Sequence, residues 1–319
     1  MKRLWHVREL STVAILLLEI LFFGWYLWPD GNRPHPFLNA ENALLILKYS
    51  SIYGIAAVGA AVVIISGGID LAPGSIIALA SVVCGALFVD AAWGLWPSIF
   101  VALVVGLGAG ALSSVLIVAV KLPPFIATLG VMGITRGLAF IVTEGRYFDL
   151  SSKLAGGWRP FGIPADWVAP LVMVGLAIVF QLLMTRFQWG RQIFAVGGNE
   201  TAALFSGVRV GRIKTTVYLL SGLLAAVAGV VLALVQGQGK ADLATGYELD
   251  IIASAVVGGA SLSGGRGSVM GAVLGTLIFG VLRNALPQIP GATFYDRLIV
   301  RLAVIVIVVV DQLLLKRGE

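Results

Sequence analysis

The chain has 319 residues, of which 59% are hydrophobic and 12% charged, with a formal net charge of +6 and a mean hydropathy of +0.98. A soluble domain carries roughly 25% charged residues, so a water-soluble fold is excluded. The basic residues are scattered between apolar runs and form no polybasic tract, which argues against a nucleic-acid binder and makes the charge a matter of membrane topology.

Apolar runs such as 13–28, 98–120 and 302–310 suit a bilayer, where ~20 apolar residues cross ~30 Å of hydrocarbon. In chain order they predict an all-α, polytopic membrane protein of about ten transmembrane helices. The spans fall near 11–28, 43–66, 74–90, 97–120, 125–143, 167–185, 215–237, 249–260, 268–286 and 296–315. Residues 1–319 read as one membrane domain, with 186–214 as a loop within it. The first run is too long for a signal peptide and lacks a small-residue cleavage site, so it reads as a retained span.

Lys2, Arg3, Arg8, Lys121, Arg186, Arg191, Arg209, Arg212, Lys214, Arg266, Lys316 and Arg317 fall on one side of these spans. Arg33, Arg146, Lys153, Arg159 and Lys240 fall on the other. The richer side is expected to be cytoplasmic, which places both termini inside. Trp25, Tyr26, Trp28, Trp93, Trp96, Trp158 and Trp167 then cluster at the external ends, where amphipathic rings suit the headgroup layer.

Three stretches interrupt the apolar pattern: 66–74, the pair Pro123-Pro124, and 258–267. Gly and Pro break helices, and irregular backbone at membrane depth survives only against protein or a water-filled cavity. Each break reads either as a simple turn or as part of a transport path.

Little here supports catalysis. His6 and His35 fall in the N-terminal tail and an external loop, so no span contributes a Ser–His pair or a histidine metal site. The single cysteine, Cys84, reads as a small buried hydrophobe. Ser263-Gly264-Gly265-Arg266-Gly267-Ser268 lacks the spacing and the lysine of a phosphate loop. Acidic residues in the spans are few: Glu19 lies near the middle of the first, Asp70 and Asp250 lie near breaks or ends, and a structural pairing is favoured over proton conduction for Glu19. Arg136 and Arg301 are candidate partners for such carboxylates.

The most informative polar segment is 186–214. Asn199 can cap a short helix, Glu200 suits its positive end, and Gly207 can close it in the left-handed conformation. So short a helix is unstable alone, and Ala203, Leu204 and Phe205 are its apolar contacts. It is either a linker helix packed on its own spans or a lever that docks into another protein.

Four blocks in order resemble the ribose-type ABC sugar-importer permeases: Ser66-Gly67-Gly68-Ile69-Asp70-Leu71, Leu122-Pro123-Pro124-Phe125-Ile126-Ala127-Thr128-Leu129-Gly130, the 189–208 loop, and Gly258-Gly259-Ala260-Ser261-Leu262-Ser263-Gly264-Gly265-Arg266-Gly267-Ser268-Val269. The resemblance covers nearly the whole chain. The chain departs from it at Leu71-Ala72-Pro73-Gly74, where relatives commonly carry Leu-Ser-x-Gly.

The resemblance implies a permease of the bacterial inner membrane that is not itself an enzyme. Two permease subunits, identical or related, form the path. A pair of ATP-binding subunits docks on the cytoplasmic side and holds ATP and Mg, so no cofactor is expected on this chain. A periplasmic binding protein delivers a monosaccharide. Arg191, Phe194, Gly197, Gly198, Asn199, Glu200, Ala203, Leu204 and Gly207 then form the ATPase-coupling segment. Gly67, Gly68, Asp70, Gly264, Gly265 and Arg266 form an inner gate or its support. Thr128, Arg136, Gln236, Ser254 and Asn284 are the polar candidates to line the path. The alternative is a secondary carrier or channel for a small polar solute, working without an ATPase.

Overall fold

The structure is a computed structural model that describes residues 2–28, 36–154, 160–295 and the isolated positions 298, 302 and 305. Its helices are, in chain order, α1 (Lys2–Tyr26), α2 (Ala40–Ile65), α3 (Pro73–Gly85), α4 (Leu95–Ser114), α5 (Pro124–Thr143), α6 (Ala165–Arg186), α7 (Gln188–Gly198), α8 (Glu200–Phe205), α9 (Val210–Gln236), α10 (Tyr247–Val257) and α11 (Val269–Ala285). α3 and α4 are each prolonged by a π-helical turn, Ala86–Asp90 and Val115–Ala119. Two short strands, β1 (Phe148–Asp149) and β2 (Gln238–Gly239), pair antiparallel.

Among the described residues, seven helical stretches are long and apolar enough to cross a membrane, and α1 adds the shorter apolar stretch Leu10–Tyr26. These account for eight of the sequence-derived spans. The span expected at 249–260 is different. α10 has 11 residues, or about 16 Å at 1.5 Å per residue, about half of a bilayer core. Apart from positions 298, 302 and 305, the span expected at 296–315 lies outside the described residues, as do Arg33, His35, Trp158, Arg159, Arg301, Lys316 and Arg317.

α2 and α9 form the centre, with 83% and 78% of their apolar windows buried, whereas α5 is 28% buried. Small residues let these helices approach closely, as in many membrane bundles. Gly106 and Gly110 of α4 meet the backbone of α9 at Gly222 and Tyr218, and Gly59 of α2 meets it at Ser221. Cys84 is fully buried in the same core.

The sequence breaks shape this bundle in unequal ways. Pro124 opens α5 at a position where a missing N–H costs nothing. The 66–72 segment instead turns back beside α2. A Cβ on Gly74 would meet the Ala244 carbonyl and the Glu248 side chain, and Ile77 packs on Gly229 of α9. Gly229 lies about 28 Å along α9 from Val210, so α3 starts deep inside the bundle. α10 also starts there, and the N-terminal ends of the two helices meet.

Trp25, Tyr26, Trp28, Trp93, Trp96 and Trp167 are 46–72% exposed. They lie at the bundle end opposite α7 and α8, as an interfacial belt requires.

Candidate functional site

At the end of the bundle carrying α7 and α8, three sequence blocks lock together. The Gly265 N–H donates to the Ile65 carbonyl at 2.9 Å. α7 presses against this bond: a Cβ on Gly197 would lie 1.8 Å from the Ile65 oxygen and 2.6 Å from the Gly265 nitrogen. A Cβ on Gly264 would fall 2.6 Å from the Gly197 oxygen and 2.8 Å from the Gly67 Cα. Gly67 and Gly264 have φ of +82° and +80°, which favours glycine. Gly68 packs under the Tyr218 hydroxyl, and Arg266 is exposed, its carbonyl accepting from the Ser261 N–H.

The polar loop holds two helices where the sequence suggested one. Trp189, Ile193 and Val196, at helical spacing, form the inward stripe of α7 against α2 and α6, a signal the expectation of one helix passed over. Arg191 is exposed and half-buried Phe194 packs on the core. Asn199 caps α8 as expected, its side chain accepting from the Ala202 N–H at 2.9 Å. Gly207, at φ +84°, closes it, with the Val208 N–H donating to Ala203. Glu200 pairs with Lys214 at 2.7 Å across exposed surface. Ala203 is buried against the chain, whereas Leu204 is 58% and Phe205 86% exposed. Phe205, beside Leu204, is the second exposed apolar side chain of α8.

Asp70 joins this end to the interior. It is 4% exposed, accepts from Ser221 Oγ at 2.7 Å and from the Ala72 N–H at 2.9 Å, and so ties the break to α9. Burial pushes its carboxyl above the ordinary carboxylate value, while the Ser221 and Ala72 hydrogen bonds pull the other way. Pro73 at the first positions of α3 takes over from the missing hydroxyl. Thr128, fully buried, donates to Pro124 and approaches the Ile69 carbonyl at 3.5 Å.

Deeper in the bundle, polar groups gather around the starts of α3 and α10. Arg136 donates to the Ala241 and Leu243 carbonyls at 2.6 and 2.7 Å, holding the irregular segment before α10. Of the carboxylates that Arg136 was a candidate to pair with, Glu248 and Asp242 lie within its electrostatic reach, whereas Glu19 Oε2 is buried with no hydrogen-bond partner. Ser75 of α3 and Thr135 of α5 share a 2.6 Å hydrogen bond. Both helix starts lack a side-chain cap, and the Glu248 carboxylate lies against the first turn of α3, where the helix dipole favours an anion.

On the other face of α10, Arg283 pairs with Asp250 at 2.5 Å, donates to the Tyr53 hydroxyl and lies 4.8 Å over the Tyr53 ring. Tyr53 stacks on Tyr247 with centroids 4.2 Å apart. Ser254 and Asn284, two of the five path candidates, line a cavity of about 260 Å³ beside this pair. Thr128 and Arg136 lie elsewhere, and Gln236 is exposed where α9 ends. Among the described residues, no group of three or more His, Cys, Asp or Glu side chains is placed to hold a metal ion.

Helices interrupted inside an apolar bundle, with polar groups at the interruptions, define a polytopic membrane protein of the kind that carries solutes. The chain belongs to the family of branched-chain amino acid transport system permease components, which matches residues 42–309. It is 34% identical over 316 residues to the ribose import permease protein RbsC of Escherichia coli K12, covering 97% of this chain and 94% of the relative. It is 36% identical over 285 residues to the RbsC of Bacillus subtilis 168, covering 86% of each. The D-allose transport system permease protein AlsC of E. coli K12 is 31% identical over 311 residues, covering 96% of this chain and 92% of the relative. No solved structure matches the chain.

Proposed function

We propose that this chain is the transmembrane permease subunit of a binding-protein-dependent ABC importer for a monosaccharide. The observation that carries this reading is α8: a capped six-residue helix that shows Leu204 and Phe205 to solvent. A helix this short needs a surface to lie against, and two exposed apolar side chains beside a fixed loop suit a groove in a partner. The partner is an ATP-binding subunit, which holds ATP and Mg. The α7–α8 end and both termini face the cytoplasm across the bacterial inner membrane. A periplasmic binding protein and a second permease subunit complete the importer.

The interlock supplies the mechanics. Movement of α8 with the ATPase is transmitted to α7, and Gly197 bears directly on Ile65, Gly264 and Gly265 with no side chain to cushion the displacement. Interfaces packed this closely switch between arrangements rather than deform. The 66–72 and 258–268 breaks pass the shift to the starts of α3 and α11, where access to the polar interior changes. ATP binding shifts the balance between inward and outward access by its different affinity for the two states.

The test is copurification with the ATP-binding subunit and ATP-dependent uptake of D-ribose and D-allose into proteoliposomes. Leu204→Ser combined with Phe205→Ser is expected to release the ATPase and abolish uptake while the permease still accumulates in the membrane. Recovery of this chain alone, with solute flux in vesicles lacking ATP, would instead establish the carrier or channel.

A further inference from the structure

The cavity beside α10 contains features that the coupling mechanism does not use. It lies between α2, α10 and α11, and its wall includes Tyr49, Ser50, Asp250, Ser254, Arg283 and Asn284. Tyr53 stands about 18 Å along α2 from Ile65, and Arg283 about 21 Å along α11 from Val269. The cavity is therefore near the middle of the bundle, the usual level for a transporter site built on interrupted helices.

Its chemistry is specific. Ser50 Oγ is buried without a hydrogen-bond partner. A Cβ on Gly280 would fall 1.8 Å from that oxygen, so a glycine at this position is what leaves the hydroxyl its room. Pressed against α11, this oxygen is closed to solvent and marks a polar defect in the wall rather than a contact for a ligand. Asp250 and Arg283 neutralise each other, and Tyr53, stacked on Tyr247, fixes the guanidinium. A mostly apolar wall with one set of paired opposite charges is neutral overall, which suits the C–H faces and hydroxyls of a sugar better than a net charge would. Ser254 donates its own proton to the Asp250 carbonyl and so offers lone pairs. Tyr49, 47% exposed, stands at the rim, where an aromatic face can cover the C–H surface of a sugar ring.

We infer that this cavity is a transient site for one neutral monosaccharide inside a single subunit, read by the Asp250–Arg283 pair and Asn284 and covered by Tyr49. The inference rests on the sugar-importer reading and adds the place where the sugar pauses. An amino acid zwitterion fits poorly, because its ammonium and carboxylate would have to split a buried ion pair.

Two measurements on the complete importer separate this inference from the function it rests on. ATP-dependent uptake of D-ribose, D-allose and L-leucine by the wild-type complex tests the function; leucine uptake without sugar uptake overturns both readings. With a sugar carried, Asn284→Phe, which enlarges a half-buried side chain of the cavity wall, is expected to cut its uptake about tenfold in a complex that still copurifies with its ATPase. If Asn284→Phe fails to assemble, Ser254→Val takes its place and is expected to raise the sugar concentration needed for half-maximal uptake.

The second measurement uses Tyr49→Cys. The native Cys84 is buried, so the new thiol is the one that maleimide reaches first. The transported sugar is expected to slow its labelling, and L-leucine to leave it unchanged. Labelling indifferent to the transported sugar, or wild-type uptake by both cavity variants, overturns the inference and leaves the importer reading standing.

Discussion

Gly197 and Ile65 meet with no side chain between them, the α7 backbone resting on the last carbonyl of α2 beside the 2.9 Å bond from Gly265. Gly198, one residue on, has nothing within 4 Å of its would-be Cβ. The pair is an internal control. Gly197→Ala is expected to cost about 1–3 kcal/mol through overpacking and to lower the melting temperature in detergent. Gly198→Ala should match wild type, and equal melting of the two variants would dissolve the interlock.

Arg136 holds the carbonyls of Ala241 and Leu243, whose segment has no helix or sheet to satisfy it. Arg136→Leu leaves both acceptors unmade at about 1–3 kcal/mol each. The expected result is reduced membrane accumulation, with Arg136→Lys recovering part of it. If Arg136→Leu accumulates normally and loses only uptake, the guanidinium faces the path instead.

Asp70 provides a pH test with a definite sign. Its folded carboxyl is raised by burial, so the native chain holds this proton more tightly than the unfolded chain does. The stability from that preference is complete below the ordinary carboxylate value near 4 and declines as pH rises above it. Asp70→Asn keeps an oxygen for the Ala72 N–H and cannot ionise. Its melting temperature is expected to change less between pH 4 and pH 7 than that of the wild type, a difference read by thermal unfolding in detergent. Parallel curves would count against Asp70 as the source.

Local composition was enough for much of the architecture. Long apolar runs predicted α1 to α6, α9 and α11, because lipid imposes length and apolarity on every crossing segment. Asn199 and Gly207 marked the ends of α8 because capping acts within a few residues. α7 was legible too, since Trp189, Ile193 and Val196 recur at helical spacing, but the Asn199 cap pointed to one helix in this loop instead of two. The short α10 passed for a span because hydropathy measures apolarity and not the level at which a helix begins.

The glycine breaks show the division most clearly. Gly67, Gly197, Gly264 and Gly265 could be recognised one by one as places where a helix stops or the chain turns. That they touch one another across nearly 200 residues of sequence, with Ile65 between them, follows from the packing of α2, α7 and the 258–268 turn. Ser254 and Asn284 were legible as polar residues in apolar helices, but Asp250 and Arg283 join them only because α10 begins deep in the bundle beside α2 and α11. Sequence determines which segments enter the membrane, since transfer to lipid is a property of each segment. Which polar groups face each other there is set by backbone approach between distant helices, which only the assembled bundle decides.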